Sequence, residues 1–275
     1  MLKLIAIISL LVSASAAQSA PQKIVDAEQA FARLAAEKGT KAAFLANMTD
    51  DAVVFNPERV NARSNWSGRK ESTALLTWDP NFADIASNGA IGYTTGNWEY
   101  RPKGKADSPV AFGDFVTIWA GQPDGTYKWL IDMGVSHDKP AKYSTEWTAP
   151  KSDHTSKSPT GLNAATQGFA EIASKKGLAA AYKAFDSDDV RSYRDGKFPF
   201  IGKATALAQA TVEVGTFVME TDGAHQAANL AYLLTRYTRR SPDGKTEKGN
   251  TLQIWKFIGG KWRIVLDVIN PVPSK

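Results

Sequence analysis

The sequence predicts an α+β protein of two tandem cone-shaped units, each with N-terminal helices packed on a curved, mainly antiparallel sheet. Three observations predict this. The chain repeats itself, each copy switches from helical to strand periodicity in the same order, and the composition is that of an ordinary globular protein. The chain has 275 residues, is 43% hydrophobic and 22% charged, and carries a formal net charge of +5. It has no Cys and three His. That excludes a disulfide framework, a thiolate nucleophile and a thiolate metal site.

The repeat is clearest near the start of each copy. Ala27–Asp51 aligned without gaps on Ala165–Asp189 gives 12 identities in 25 positions, at an offset of 138 residues (165 − 27). They include Phe31/Phe169, Lys38-Gly39/Lys176-Gly177 and Asp50-Asp51/Asp188-Asp189. Later matches are looser: Gly68-Arg69-Lys70 with Gly202-Lys203, Ile118-Trp119 with Ile254-Trp255, and Lys128-Trp129 with Lys261-Trp262. The expected units are 22–137 and 161–275, joined by a linker at 138–160 rich in Pro, Ser, Thr and Lys. Tyr143 and Trp147 should pin part of that linker to a surface.

Within each copy, Ile24, Ala27, Phe31, Leu34 and Ala35, and their counterparts Leu162, Ala165, Phe169, Ile172 and Ala173, fall at helical spacing. Gly39 and Gly177 end the helix. Thr40 is placed to cap a second short helix, and a third is expected after Gly68 or Gly202. Asp50-Asp51 reads as a turn into the strand Ala52–Phe55. Strands follow at Ile91–Tyr100, Val110–Ala120 and Tyr127–Val135, and in the second copy at Leu230–Arg240, Thr251–Ile258 and Lys261–Ile269. Strict alternation puts Tyr127, Trp129, Ile131, Met133 and Val135 on one face and Asp132 on the other; Asp267 likewise opposes Trp262, Ile264, Leu266 and Val268.

Residues 1–17 read as a secretory signal peptide: Lys3, an apolar run from Leu4 to Val12 broken by Ser9, and small residues from Ser13 to Ala17. The expected product is a secreted or periplasmic protein. No later apolar run reaches the roughly 18 residues of a membrane span. The charge is too diffuse to indicate nucleic acid, and the basic cluster Arg236–Arg240 reads as a solvated strand edge.

Ala27-Glu28-Gln29-Ala30-Phe31, Asp50-Asp51-Ala52-Val53, Gly68-Arg69, Gly113-Asp114-Phe115-Val116 with Trp119, and Asp124-Gly125-Thr126-Tyr127-Lys128-Trp129 together resemble the SnoaL-like branch of the nuclear-transport-factor-2-like superfamily. Within it, the chain is most similar to secreted domains of unknown function. The resemblance covers nearly all of both copies. It implies a cone fold and, because members pair through their sheets, an internal pseudo-dimer in a monomeric chain. It is poorly specific for activity, since the superfamily holds isomerases, cyclases, dehydratases and non-catalytic members.

Ketosteroid-isomerase chemistry needs a carboxylate base in an apolar pocket, where burial raises its pKa. Asp132 and Asp267 are the carboxylate candidates, and the competing reading makes them partners of Lys128, Lys261 or Arg263. Tyr93 and Tyr232 are candidate hydroxyl donors, and Arg236 can hold an anion if it faces inward. Trp98, Trp119 and Trp255 are candidates for stacking on a ligand as well as for core. His137, His154 and His225 do not repeat between copies, so neither a metal nor a cofactor is expected. No nucleophile elbow or phosphate-binding glycine loop is present. The leading expectation is an exported protein that binds a small, largely apolar molecule. The alternatives are a cofactor-independent isomerase, cyclase or dehydratase, and a protein-interaction module.

Overall fold

The computed structural model describes residues 20–144, 146–150 and 159–273. The expected signal peptide lies outside them, as do residues 151–158 of the linker. Unit 1 runs α1 (Ala20–Lys38), α2 (Thr40–Asn47), β1 (Met48–Phe55), β2 (Arg59–Asn61), α3 (Ala62–Ser67), β3 (Leu75–Ile85), β4 (Ile91–Arg101), β5 (Ala111–Gly121) and β6 (Tyr127–His137). Unit 2 repeats the order with α4 (Leu162–Lys176), α5 (Leu178–Phe185), β7 (Asp186–Arg194), β8 (Phe200–Ile201), α6 (Lys203–Val212), β9 (Thr216–Ala227), β10 (Leu230–Arg240), β11 (Thr246–Ile258) and β12 (Lys261–Val272). The sheets have the same strand order, β2-β1-β6-β5-β4-β3 and β8-β7-β12-β11-β10-β9. All pairings are antiparallel except β1 with β6 and β7 with β12. The α+β class and the two-unit architecture are therefore those expected.

Several local expectations are corrected. Thr40 is the first residue of α2 rather than its cap; its hydroxyl accepts from the Leu76 amide at 3.3 Å and ties the helix to β3. Gly39 makes the break between α1 and α2, at φ 89° and ψ 152°, a conformation open to glycine. α3 precedes Gly68 because Asn61 caps it, accepting from the Ser64 amide at 2.9 Å. In unit 2 the helix does follow Gly202. Asp50 and Asp51 lie inside β1, where the register shifts between Met48 and Val53, so the chain bulges where a turn was expected.

The largest correction concerns the faces of the last strands. β6 carries a bulge opposite Ile118 and Trp119, so Trp129 pairs with Trp119 while Ile131 pairs with Ile118. The extra residue returns Trp129 to the face that carries Asp132, and leaves Ile131, Met133 and Val135 on the other. β12 bulges at the equivalent place, with Ile264 opposite Trp255 and Leu266 opposite Ile254. In register, Trp129 therefore corresponds to Ile264, not to Trp262. Asp132 and Asp267, opposite Thr117 and Gln253, are structural equivalents.

Each unit buries a core between its helices and the inner face of its sheet. In unit 1 this core holds Phe31, Phe44, Trp66, Trp119 and Trp129; in unit 2 it holds Phe169, Tyr182, Phe217, Trp255 and Trp262. A third apolar layer, with Phe82, Ile118 and Met133 from unit 1 and Leu234, Ile254 and Val268 from unit 2, joins the outer sheet faces to each other. The units thus pair through their sheets. Lys256 donates to both oxygens of Asp84 across the layer, at 2.7 and 2.6 Å, with both side chains essentially unexposed. Thr148 of the linker bridges to Phe82, Tyr143 donates to Glu99 at 2.7 Å, and Trp147 packs against the unit 1 core. Among the described residues no helix is long and apolar enough to cross a membrane.

Candidate functional site

The inner face of sheet 1 and the helices above it enclose a cavity of about 350 Å³. Phe31 and Phe44 come from α1 and α2, Trp78 from β3, Trp98 and Tyr100 from β4, and Phe115 from β5. Thr117 and Asp132 form its polar floor. The wall at Trp98 depends on missing side chains. A Cβ on Gly113 would lie 2.4 Å from the indole and 2.0 Å from the Val135 carbonyl oxygen. With hydrogen there instead, Trp98 lies against the strand and donates to the Asp114 carbonyl at 3.1 Å.

Asp132 accepts from the Thr117 hydroxyl at 3.0 Å and forms no salt bridge among the described residues. The side chain borders the cavity yet sits deep beneath the helices, and that burial raises its pKa to about 6, with Thr117 working the other way. Beside it is a second carboxyl, Glu28, fully buried on α1. Glu28 accepts from Trp78 Nε1 at 2.6 Å, from the Thr94 hydroxyl at 2.6 Å and from Trp119 Nε1 at 3.1 Å. Burial lifts its pKa to about 7; the hydrogen bonds oppose the rise, and the charge of Asp132 adds to it. Sequence reasoning passed over Glu28. The signal was there: Ile24, Glu28, Phe31 and Ala35 form one buried stripe, and a carboxyl in an apolar stripe calls for donors or a site.

Asp267 holds the equivalent backbone position with the opposite electrostatics. Its Oδ2 accepts from Arg194 at 2.8 Å and from the Tyr182 hydroxyl at 2.6 Å, and its Oδ1 from Gln253 at 3.1 Å. Arg194 also donates to Glu213 at 2.7 Å. Arg194 and Tyr182 cover Asp267, so unit 2 presents a buried ion-pair network, with Asp186 buried beside it and raised to a pKa of about 8 by burial and by the charge of Asp267.

The remaining candidates are not brought to Asp132. Tyr93 faces the layer between the sheets, packed near Phe82. Tyr232 also packs against that layer. Neither can hydrogen-bond at the cavity floor, because alternation puts both on the outer face. Arg236 shares that outward face, more than half exposed and paired with Glu220 at 3.4 Å, so it does not face inward. Trp119 is fully buried behind the cavity, bonded to Glu28 and Thr94. Trp255 is core in unit 2, edge-on to Phe169 and Phe185, and donates to Gln253 at 3.2 Å. Trp98 lines the cavity. Among the described residues no cluster of His, Asp and Glu is arranged to hold a metal.

No family model matches the chain, and no curated protein does. Solved structures do resemble it, each over about the length of one unit. A ketosteroid isomerase-like protein from Erwinia carotovora atroseptica is 15% identical over 41% of this chain and 95% of its own, with a TM-score of 0.37. A nuclear-transport-factor-2-like protein of unknown function from Pseudomonas putida is 15% identical over 42% and 85%, with a TM-score of 0.36. Another from Shewanella oneidensis is 16% identical over 39% and 94%, with a TM-score of 0.35.

Proposed function

We propose that the protein binds a small, largely apolar molecule in the unit 1 cavity and that unit 2 serves as its scaffold. The observation that carries this is the contrast between two equivalent aspartates: Asp132 opens onto an aromatic-lined hollow, whereas Asp267 is sealed by Arg194 and Tyr182. A hollow of this size with few polar groups at one end is typical of small-molecule sites. The surface an interaction module would use is taken up by the contact between the sheets. We also propose that the protein works outside the cytoplasm, on the strength of residues 1–17. Cleavage after Ala16 or Ala17 leaves α1 intact, and N-terminal sequencing of the exported protein checks it.

Native mass spectrometry of protein purified from its own cell envelope should show a retained small molecule. N-phenyl-1-naphthylamine, a neutral apolar fluorophore, should brighten on binding. Ala111→Trp, which fills the cavity, should abolish both signals. A fluorophore response that Ala111→Trp leaves intact refutes the assignment, as does a native protein with neither a retained molecule nor a response.

A second reading is favoured by the pKa of Asp132 near neutrality. Such a carboxylate can act as general base in a cofactor-independent isomerisation, cyclisation or dehydration. Among the described residues, the free hydroxyls that line the same cavity are then those of Tyr100 and Ser136, rather than those of Tyr93 and Tyr232. Turnover lost in Asp132→Asn, with ligand still bound, is the result expected.

A further inference from the structure

We infer that the unit 1 cavity is built for a hydrophobic cation: a protonated or quaternary amine on an apolar body, its ammonium seated against Asp132 among aromatic side chains. This rests on the reading that the cavity binds a small molecule, and it narrows the class of that molecule.

Charge decides the class. No Lys, Arg or His lines the cavity. Asp132 has Thr117 as its hydrogen-bond partner and no ion-pair partner among the described residues. Glu28 places a second carboxyl in the same low-dielectric wall, also without a cation, held by three neutral donors. Asp132 on the cavity floor, with Glu28 buried behind the wall and no basic group in the lining, gives the hollow a negative potential. A neutral apolar ligand would strip water from Asp132 and offer nothing in return. An anion would meet repulsion and few donors, because the Trp78 and Trp98 N–H groups are already spent on Glu28 and on the Asp114 carbonyl. A cation meets the carboxylate and the electron-rich rings together, and aromatic enclosures favour alkylated ammonium groups for this reason.

The test uses the full chain and a matched pair of ligands: benzyltrimethylammonium and neopentylbenzene, its uncharged carbon isostere. Calorimetry at neutral pH should find the cation bound at least tenfold more tightly. Asp132→Asn, which keeps an acceptor for Thr117, should bring the two affinities to within about twofold, with an unchanged circular dichroism spectrum showing that the fold is kept. Asp132→Glu, which keeps the charge, should restore part of the preference. Equal or tighter binding of neopentylbenzene overturns the cationic class and leaves the apolar-binding reading standing. A preference that survives Asp132→Asn overturns the role of Asp132. If neither ligand nor the fluorophore binds, both readings fall. Should Asp132→Asn fail to fold, the comparison of the two ligands on the native chain still decides.

Discussion

Asp132→Asn should make the protein more stable as the pH rises, relative to the native chain. The reasoning is linkage. The Asp132 carboxyl is displaced from 3.8 to about 6 by burial. A carboxyl whose folded pKa is raised holds its proton in the folded state while the unfolded chain has already lost it. The folded state therefore binds more protons, and native stability falls as pH climbs from about 4 to about 6, then levels. A displacement of about two units, at ~1.4 kcal/mol each, sets a ceiling of about 3 kcal/mol. Water entering the open cavity screens part of it, so about 2 kcal/mol is expected. Asparagine cannot ionise, so the variant escapes this loss. Urea unfolding followed by tryptophan fluorescence at pH 4, 5, 6 and 7.5 measures it. The stability gap between variant and native chain should widen in the variant's favour by about 2 kcal/mol, mostly below pH 6. Whatever the substitution costs in packing or lost hydrogen bonding shifts the whole curve without changing its slope. A flat gap refutes the burial argument. A gap that moves toward the native chain means a cation stabilises Asp132, and the cation-free cavity falls with it.

Other outcomes follow from the same contacts. Asp84→Asn leaves Lys256 charged and buried between the units, so a loss of about 3–5 kcal/mol is expected in denaturant titration; Asp84→Leu with Lys256→Met should recover most of it. Gly113→Ala drives a methyl into the Val135 carbonyl and the Trp98 ring, so thermal unfolding should show a loss of about 1–3 kcal/mol and the fluorophore should bind more weakly. Arg194→Met removes the cation shared by Asp267 and Glu213, and should cost about 3–5 kcal/mol while leaving the ligand affinity of whatever protein remains folded unchanged.

The repeat and the element order were legible because each follows from local pattern or simple self-similarity, whereas the pairing of units came from the family resemblance alone. What escaped was set by the third dimension. β3 and β9 lie at sheet edges, and their mixed polar sequences, with Pro80 inside one of them, lack the alternation that marks a half-buried strand. The bulges in β6 and β12 leave no sequence mark, yet each slips every later side chain to the other face. Strict alternation therefore separated Trp129 from Asp132, which share the inner face. Alternation alone did not say which face turns inward; Asp132 and Asp267, both beyond the bulges, lie on the helix side. Tyr93 and Tyr232 were misplaced for a different reason: their strands gave no clue to which face met the helices. Glu28 was overlooked because an acidic residue on a helix is ordinarily solvated, and its three donors come from residues 50, 66 and 91 positions away.

How the copies diverged can be followed at single positions, because the offset of 138 aligns the helices and first strands. Phe44, which lines the cavity, aligns with Tyr182, whose hydroxyl binds Asp267. Asn56, exposed beyond β1, aligns with Arg194, which is buried against the same aspartate. Glu28 aligns with Thr166 and Met48 with Asp186, so the second copy carries its extra carboxyl on β7 instead, where burial and the charge of Asp267 raise its pKa to about 8. Tyr182 and Arg194 supply donors, and together they turn an aspartate that needs a partner from outside into one that has partners within. An unpaired buried carboxyl destabilises a fold. The second copy has relieved that cost at Asp267 and the first has kept it at Asp132, with the cavity open in front of it. In a protein stabilised by burial without a single disulfide, a retained cost of this kind points to use at that position.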